Sequence, residues 1–170
     1  MSIVFYPMKS SKHLKTGELG IGFESDTFTT NGIGSCVVLC MWDPILKIGA
    51  MAHMFQPSRE MIDSARAQSE GASPDTAIPF LLCLMLRLGV DQDNILVRLV
   101  GAGNMFDGVK DGSALDVGKG ILTSTLIELC NSGLTLKSQS VGGRLGRRVE
   151  FTISSGLIQV GLTNGENVIL

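Results

Sequence analysis

Several things are scarce in this chain of 170 residues, and each scarcity removes a class of answer. Positive charge is not in excess: 14 Lys and Arg stand against 16 Asp and Glu, so the basic footprint of a nucleic-acid binder is missing. Apolar runs of membrane-spanning length are absent too. The longest strongly apolar stretch, Ala77 to Leu86, falls well short of the roughly 20 residues that cross a bilayer, and no membrane insertion is expected. Met1 to Lys12 lacks a basic start followed by an adequate apolar core, so no secretory leader is expected. Cys36, Cys40, Cys83 and Cys130 form no CxxC pair and no zinc spacing, which argues against a bound metal and agrees with a reducing compartment. Low-complexity sequence is sparse, and 44% hydrophobic content gives the chain a sizeable core. The expectation is one soluble cytoplasmic domain, residues 1–170, with no cofactor.

The stretch that is there to be explained runs from Thr30 to Phe55. It reads Thr30-Asn31-Gly32-Ile33-Gly34-Ser35-Cys36, then the apolar run Val37 to Trp42, a turn signal at Asp43-Pro44, and a second apolar run, Ile48 to Phe55, that contains His53. Two such runs joined at Asp-Pro predict an antiparallel hairpin. Folding back at residues 43–47 brings Cys36 and His53 to the same end of the ladder, where neighbouring strands about 5 Å apart let side chains meet. Gly32 and Gly34 permit a sharp turn that lifts Cys36 to the strand mouth and aims backbone N–H groups at a substrate oxygen. A free thiol titrates near ~8.5, and a neighbouring histidine can lower that enough to give a reactive thiolate at neutral pH. From spacing alone two readings stand for each residue: Cys36 is a nucleophile or a small core residue beside a glycine turn, and His53 is its base or a satisfied core histidine.

These residues resemble a known family, the chemoreceptor glutamine deamidases called CheD. The nucleophile motif of that family is similar to Thr-x-Gly-x-Gly-Ser-Cys-Val, here Thr30 to Val37, and its histidine motif to Gly-Ala-Met-Ala-His, here Gly49 to His53. Carried over by position, the resemblance implies Cys36 as nucleophile, His53 as base and Thr30 as the third member of a triad. It further implies an α+β fold of stacked mixed β-sheets flanked by helices, of the cytotoxic-necrotizing-factor type. The implied substrate is a glutamine on the cytoplasmic helices of methyl-accepting chemoreceptors, and a CheC-type phosphatase is an implied regulatory partner. Pattern alone supports only α+β with two helices and many strands.

Along the rest of the chain, Ile3 to Tyr6 reads as an edge strand and Lys9 to Lys15 as an exposed loop, with His13 a surface histidine without partners. Glu18 to Glu24 and Thr27 to Thr30 read as strands. Ser58 to Pro74 is expected to be a long surface loop, either a lid over the site or a tolerated insertion. Ser73-Pro74-Asp75 starts a helix with a capping hydroxyl, buried on most sides and stopped by Gly89. Ile95 to Val100 is a strand. The turn Gly101 to Phe106 lacks the Gly-Lys-Ser/Thr ending of a phosphate loop; it resembles the Gly-Gly-Ala-x-Met-Phe stretch of the family and reads as structural support of the site. Ser113 to Cys130 predicts a second helix with Leu115, Leu122, Leu126 and Leu129 on one stripe. Strands follow at Leu134 to Ser140, Val149 to Ile153 and Leu157 to Leu162. Cys40, Cys83 and Cys130 read as packing residues.

The likeness has departures. Ser140 stands where the family usually has Asp, and Gly118-Lys119-Gly120-Ile121 replaces a Gly-x-Arg-Asn sequence, differences that bear on partner docking and substrate choice. Two rival functions remain: a cysteine amidase or esterase acting on another substrate, and a non-catalytic helix-binding regulator of chemotaxis signalling. Intact Thr30, Cys36 and His53 argue against the second.

Overall fold

A computed structural model describes residues 10–61, 69–104 and 116–170. Among them, ten strands and two α-helices form three layers, sheet on sheet on helices, an α+β architecture. The first sheet joins β1 (Ser10–His13), β3 (Asp26–Ile33), β8 (Arg147–Thr152), β9 (Leu157–Leu162) and β10 (Asn167–Ile169) in that order. The second has the order β2 (Leu19–Gly22), β5 (Ile48–Met54), β4 (Val37–Asp43), β6 (Leu96–Gly101), β7 (Leu136–Val141). Both are mixed, with parallel pairs β1–β3 and β6–β7 and antiparallel pairs elsewhere.

The expected hairpin is β4–β5, in register from Val37↔Met54 to Asp43↔Ile48. All seven residues of each strand are buried, which is why both read as continuous apolar runs rather than alternating ones. Val37, Leu39 and Met41 pack toward α1 (Pro74–Arg87) and α2 (Val117–Asn131). Val38, Cys40 and Trp42 pack into a second core with Phe28, Val149, Phe151 and Val160 of the facing sheet. The hairpin is thus the shared wall of two hydrophobic cores.

Several expectations change. The segment 10–13 is a strand, because β3 offers it a parallel ladder; its polar side chains are those of an exposed edge, and Lys12 is paired with Asp26 at 2.7 Å. His13 is exposed as expected but has a partner, Thr29 Oγ1, 3.1 Å from its Nδ1. Ile3 to Tyr6 lies outside the described residues. The Thr27 to Thr30 strand extends to Ile33 through a bulge that includes Gly32 at φ 68°. Helix α1 starts at Pro74, yet Ser73 makes no side-chain cap; its buried hydroxyl bonds Asp75 and Thr76 instead. This helix buries one face, formed by Ala77, Ile78, Leu81 and Met85, and leaves Phe80, Cys83 and Leu86 exposed, because only one sheet covers it. On α2 the buried stripe is Ile121, Thr125 and Leu129, while Leu126 and Cys130 face outward; Leu115 lies outside the described residues. Strand β10 was not anticipated. No helix of the described residues is long and apolar enough to cross a membrane.

Candidate active site

Thr30 and His53 meet between the two sheets. Both are fully buried, Thr30 on β3 and His53 on β5. Thr30 Oγ1 lies 2.7 Å from the carbonyl oxygen of Leu14 and 2.7 Å from His53 Nδ1. A hydroxyl has one proton and a carbonyl can only accept, so Thr30 donates to Leu14 and accepts from Nδ1–H of His53. Neutral His53 then carries its proton on Nδ1, which leaves Nε2 as its basic nitrogen. The histidine backbone is fixed as well: its N–H donates to Glu18 O at 3.0 Å and its carbonyl accepts from Gly17 N–H at 2.7 Å.

Cys36 stands immediately before β4 and is half-buried. Val38 is the register partner of His53, so Cys36, two residues back on the same face, is its diagonal neighbour, a relation in which Cβ atoms lie roughly 7 Å apart and side chains can reach one another. Cys36 packs against the inter-sheet core with Val38 and Cys40. All three residues expected from the sequence therefore occupy one end of the space between the sheets.

The backbone at Cys36 is held by the loop that follows β6. Ala102 N–H donates to Cys36 O at 2.7 Å and Gly103 N–H to Gly34 O at 2.8 Å. Gly101 makes this possible: its φ is 120°, and a Cβ there would fall 2.1 Å from Cys36 O. The loop is tied in turn to residues 142 and 143, through Gly142 N–H to Gly101 O and Asn104 N–H to Gly143 O, each 2.8 Å. Arg147 locks that turn by donating to Leu145 O at 3.0 Å and Gly142 O at 2.7 Å, and burial pushes its guanidinium pKa down. The support role read for residues 101–104 matches this arrangement; residues 105 and 106 lie outside the described part.

The other cysteines differ sharply. Burial pushes the Cys40 thiol up to about 12, only partly opposed by the charge of Arg98, so Cys40 stays protonated and inert as a core residue. Cys83 and Cys130 are exposed on the helical layer, not packing residues; an apolar pattern around each masked the fact that α1 and α2 show only one face to the sheet. Among the described residues no group of His, Cys, Asp and Glu is arranged to hold a metal ion.

The segment after His53 is anchored at both ends: Phe55 and Gln56 N–H donate to Ala72 O at 2.9 and 3.2 Å, Ser69 Oγ donates to Gly17 O at 2.8 Å, and Arg59 pairs with Glu70 at 3.7 Å. Ala72 and Ser73 are fully buried, so this end is not surface loop. The middle, 62–68, lies outside the described residues. What sequence reasoning missed is the strap Leu14 to Glu18, whose contribution is made of main-chain groups that no side-chain pattern announces.

Comparison with known proteins identifies the family of the chain. Residues 56–161 match the family CheD, described as CheD chemotactic sensory transduction. The probable chemoreceptor glutamine deamidase CheD of Methanococcus vannielii is 33% identical over 147 residues, covering 86% of this chain and 92% of the relative. A span of that length must take in Thr30, Cys36 and His53. The probable chemoreceptor glutamine deamidase CheD of Desulfitobacterium hafniense is 33% identical over 141 residues, 82% of this chain and 86% of the relative. The chemoreceptor glutamine deamidase CheD of Thermotoga maritima is 27% identical over 154 residues, 91% and 93% of the two chains. With a family match over more than half its length and relatives of this identity along most of it, the chain belongs to the CheD family.

Proposed function

We propose that this chain is a single deamidase domain that hydrolyses the side-chain amide of glutamines on chemoreceptor cytoplasmic helices, giving glutamate and ammonia. The observation that carries the reading is the Thr30–His53 contact at 2.7 Å, with Cys36 on the same face of the hairpin, in a chain of this family. His53 Nε2 takes the proton from Cys36 Sγ, and the thiolate attacks the amide carbon while backbone N–H groups of the turn before β4 hold the oxyanion. Collapse of the tetrahedral intermediate breaks the C–N bond, and the imidazolium protonates the departing ammonia. Water, deprotonated by Nε2, then attacks the thioester; the acid is released and Cys36 recovers its proton.

The relatives named above supply the receptor as substrate class, and the family likeness supports a cytoplasmic setting and a CheC-type phosphatase as a further partner. The test is to incubate purified protein with a glutamine-bearing receptor fragment and locate amide-to-acid conversion by mass spectrometry. Conversion at defined glutamines, absent in Cys36→Ala, is the expected result. Turnover of receptor methyl esters or small amides alone points to a different hydrolase, and binding without turnover to a non-catalytic regulator.

A further inference from the structure

The peptide group between Leu14 and Lys15 is occupied at both ends. Its carbonyl accepts the Thr30 hydroxyl at 2.7 Å. Its N–H, that of Lys15, donates to Glu18 Oε2 at 2.8 Å. Continued inward, this makes an unbroken chain: Glu18 carboxylate, Lys15 N–H, Leu14 C=O, Thr30 O–H, His53 Nδ1–H. Each link is oriented the same way, with every donor pointing toward the carboxylate. Bonds aligned in series polarise one another, so a negative charge on the N–H end makes the carbonyl a stronger acceptor and the hydroxyl oxygen a stronger acceptor in turn.

We propose that Glu18 is a positioning residue for the deamidase reaction, acting through the Leu14–Lys15 peptide and Thr30 to favour the imidazolium form of His53. The inference rests on the proposed roles of Cys36 and His53. It resolves a chemical gap in that site, since a neutral hydroxyl beside the histidine offers less stabilisation of imidazolium than the carboxylate of a Ser-His-Asp triad. Here the carboxylate is present but displaced to the surface, and the chain of hydrogen bonds delivers its field. Glu18 also closes the strap on itself, since its N–H donates to Lys15 O at 3.0 Å and its carbonyl accepts from His53 N–H.

Other charges around the imidazole do not replace it. On the elements packed against His53, the described titratable groups are Cys36 just before β4, Cys40 and, at the far end of the hairpin, Asp43 on β4, Asp26 on β3 with its partner Lys12, and Arg147, Arg148 and Glu150 on β8, of which Arg148 and Glu150 are exposed. Cys40 stays a neutral thiol, Asp26 is committed to Lys12 and Phe23 N–H, and Arg147 is committed to two main-chain carbonyls. Lys15, on the strap itself, is exposed.

Glu18→Gln is the discriminating variant, because the amide oxygen can still accept from Lys15 N–H while the charge is gone. The readouts are kcat and KM with a receptor fragment, and the pH dependence of Cys36 alkylation by iodoacetamide, located by mass spectrometry. Expected are a fall in kcat of about three- to tenfold with KM nearly unchanged, an alkylation rate at neutral pH reduced by a similar factor, and an upward move of the alkylation midpoint. Melting temperature stays at the wild-type value, and Glu166→Gln, which makes the same change of net charge elsewhere, leaves every readout alone. In a Thr30→Val background, where the chain is cut, Glu18→Gln has no further effect on alkylation. A wild-type pH profile in Glu18→Gln, an equal effect of Glu166→Gln, a change confined to KM, or an undiminished effect in Thr30→Val each overturns the proposal. Absence of deamidation in the wild type while Glu18 still shifts Cys36 alkylation would instead unseat the substrate assignment and leave the relay standing.

Discussion

The two ends of the β4–β5 hairpin are built from the same pair of buried strands and held by opposite means. At the Asp43–Ile48 end, side chains do the holding. Trp42 donates from Nε1 to Ile153 O at 2.8 Å, Lys47 lies 4.9 Å and Arg98 5.9 Å from its ring centroid, and Gly156 lies against the ring so closely that a Cβ there would sit 2.4 Å from it. Asp43, almost fully buried, accepts from Ile45 N–H at 2.8 Å. At the Cys36–His53 end, the main chain does the holding: Ala102, Gly103, Gly17 and Glu18 all bond through backbone atoms. A strand end fixed by backbone leaves its side chains available for chemistry, and an end fixed by an aromatic clasp has none to spare.

The largest expected effect separates chemistry from clasp. Cys36→Ala and Cys36→Ser reduce deamidation to background with an unchanged melting temperature, since serine lacks a thiolate at neutral pH, and His53→Ala costs at least about 10³-fold in kcat. Cys40→Ala keeps activity. Wild-type ammonia release by Cys36→Ala would remove the nucleophile assignment. A complementary pair tests the two kinds of support. Trp42→Ala loses about 3–5 kcal/mol of stability with kcat per folded molecule within about twofold, because nothing at the clasp reaches the site. Gly101→Ala adds a Cβ 2.1 Å from Cys36 O and lowers kcat about 10²-fold through displacement of the nucleophile. Equal kcat losses at both ends would mean that the hairpin transmits strain as a rod, and the contrast would fail.

Thr30 lies between those extremes. Thr30→Ala is expected to cost about tenfold to 10²-fold in kcat, less than His53→Ala, because it loosens the orientation of a base that remains present. Thr30→Ser retains the hydroxyl and recovers most of the rate. Equal losses for Thr30→Ala and His53→Ala would promote the threonine from orienting group to essential one.

The hairpin and the glycine turn were legible because each is written in turn chemistry over a short span, whereas spacing alone left Cys36 and His53 with two readings each and Thr30 entered only through the family resemblance. The start of α1 at Pro74 and most strands were legible for the same reason; α2, expected from Ser113, starts at Val117 behind its cap Asp116, with 113–115 outside the described residues. The edge strand at 10–13 was not, because its partner β3 is a parallel strand beyond the intervening β2, with no hairpin turn to announce the pairing, and its own residues are those of a solvated edge. The exposed flanks of α1 and α2 were not, because apolar residues on a helix do not say how many layers cover it, and here one sheet does. The strap was least legible of all. Leu14 contributes a carbonyl and Gly17 an N–H, atoms every residue has, and their place is set by a fold that brings residues 14, 30 and 53 together.

A smaller effect tests the inert cysteine. Since the folded-state pKa of Cys40 is raised from 9.0 to about 12, the folded state holds a proton that the unfolded state gives up. Stability therefore falls as pH rises from about 9 toward 12, and Cys40→Ala should flatten that fall, measured by denaturant titration at several pH values. An unchanged slope would show that Cys40 does not govern the alkaline limb.

The smallest effect concerns how substrate arrives, and the cluster Arg144, Arg147 and Arg148 divides between holding and display as the hairpin ends do. Arg147 is buried and committed to Leu145 and Gly142. Arg148 is exposed on the outer face of β8, its side chain lying across Gly161, and Arg144 is exposed on the turn bonded to the 101–104 loop that holds Cys36. One surface cation on the turn that backs the nucleophile and a second on the outer face of β8, on a chain of formal net charge −2, make a local field of the sign that draws in an acidic helix, acting over the ~8–10 Å screening length of physiological salt. Arg144→Ala with Arg148→Ala is expected to raise KM for a receptor fragment about threefold and to flatten its dependence on salt, with kcat nearly unchanged, since steering alters encounter and not the reacting atoms. Arg147→Ala behaves differently, lowering the melting temperature and kcat together by releasing the turn that backs the 101–104 loop. Unaltered salt dependence in a well-folded double variant would remove the steering role and leave the exposed arginines as solvated surface.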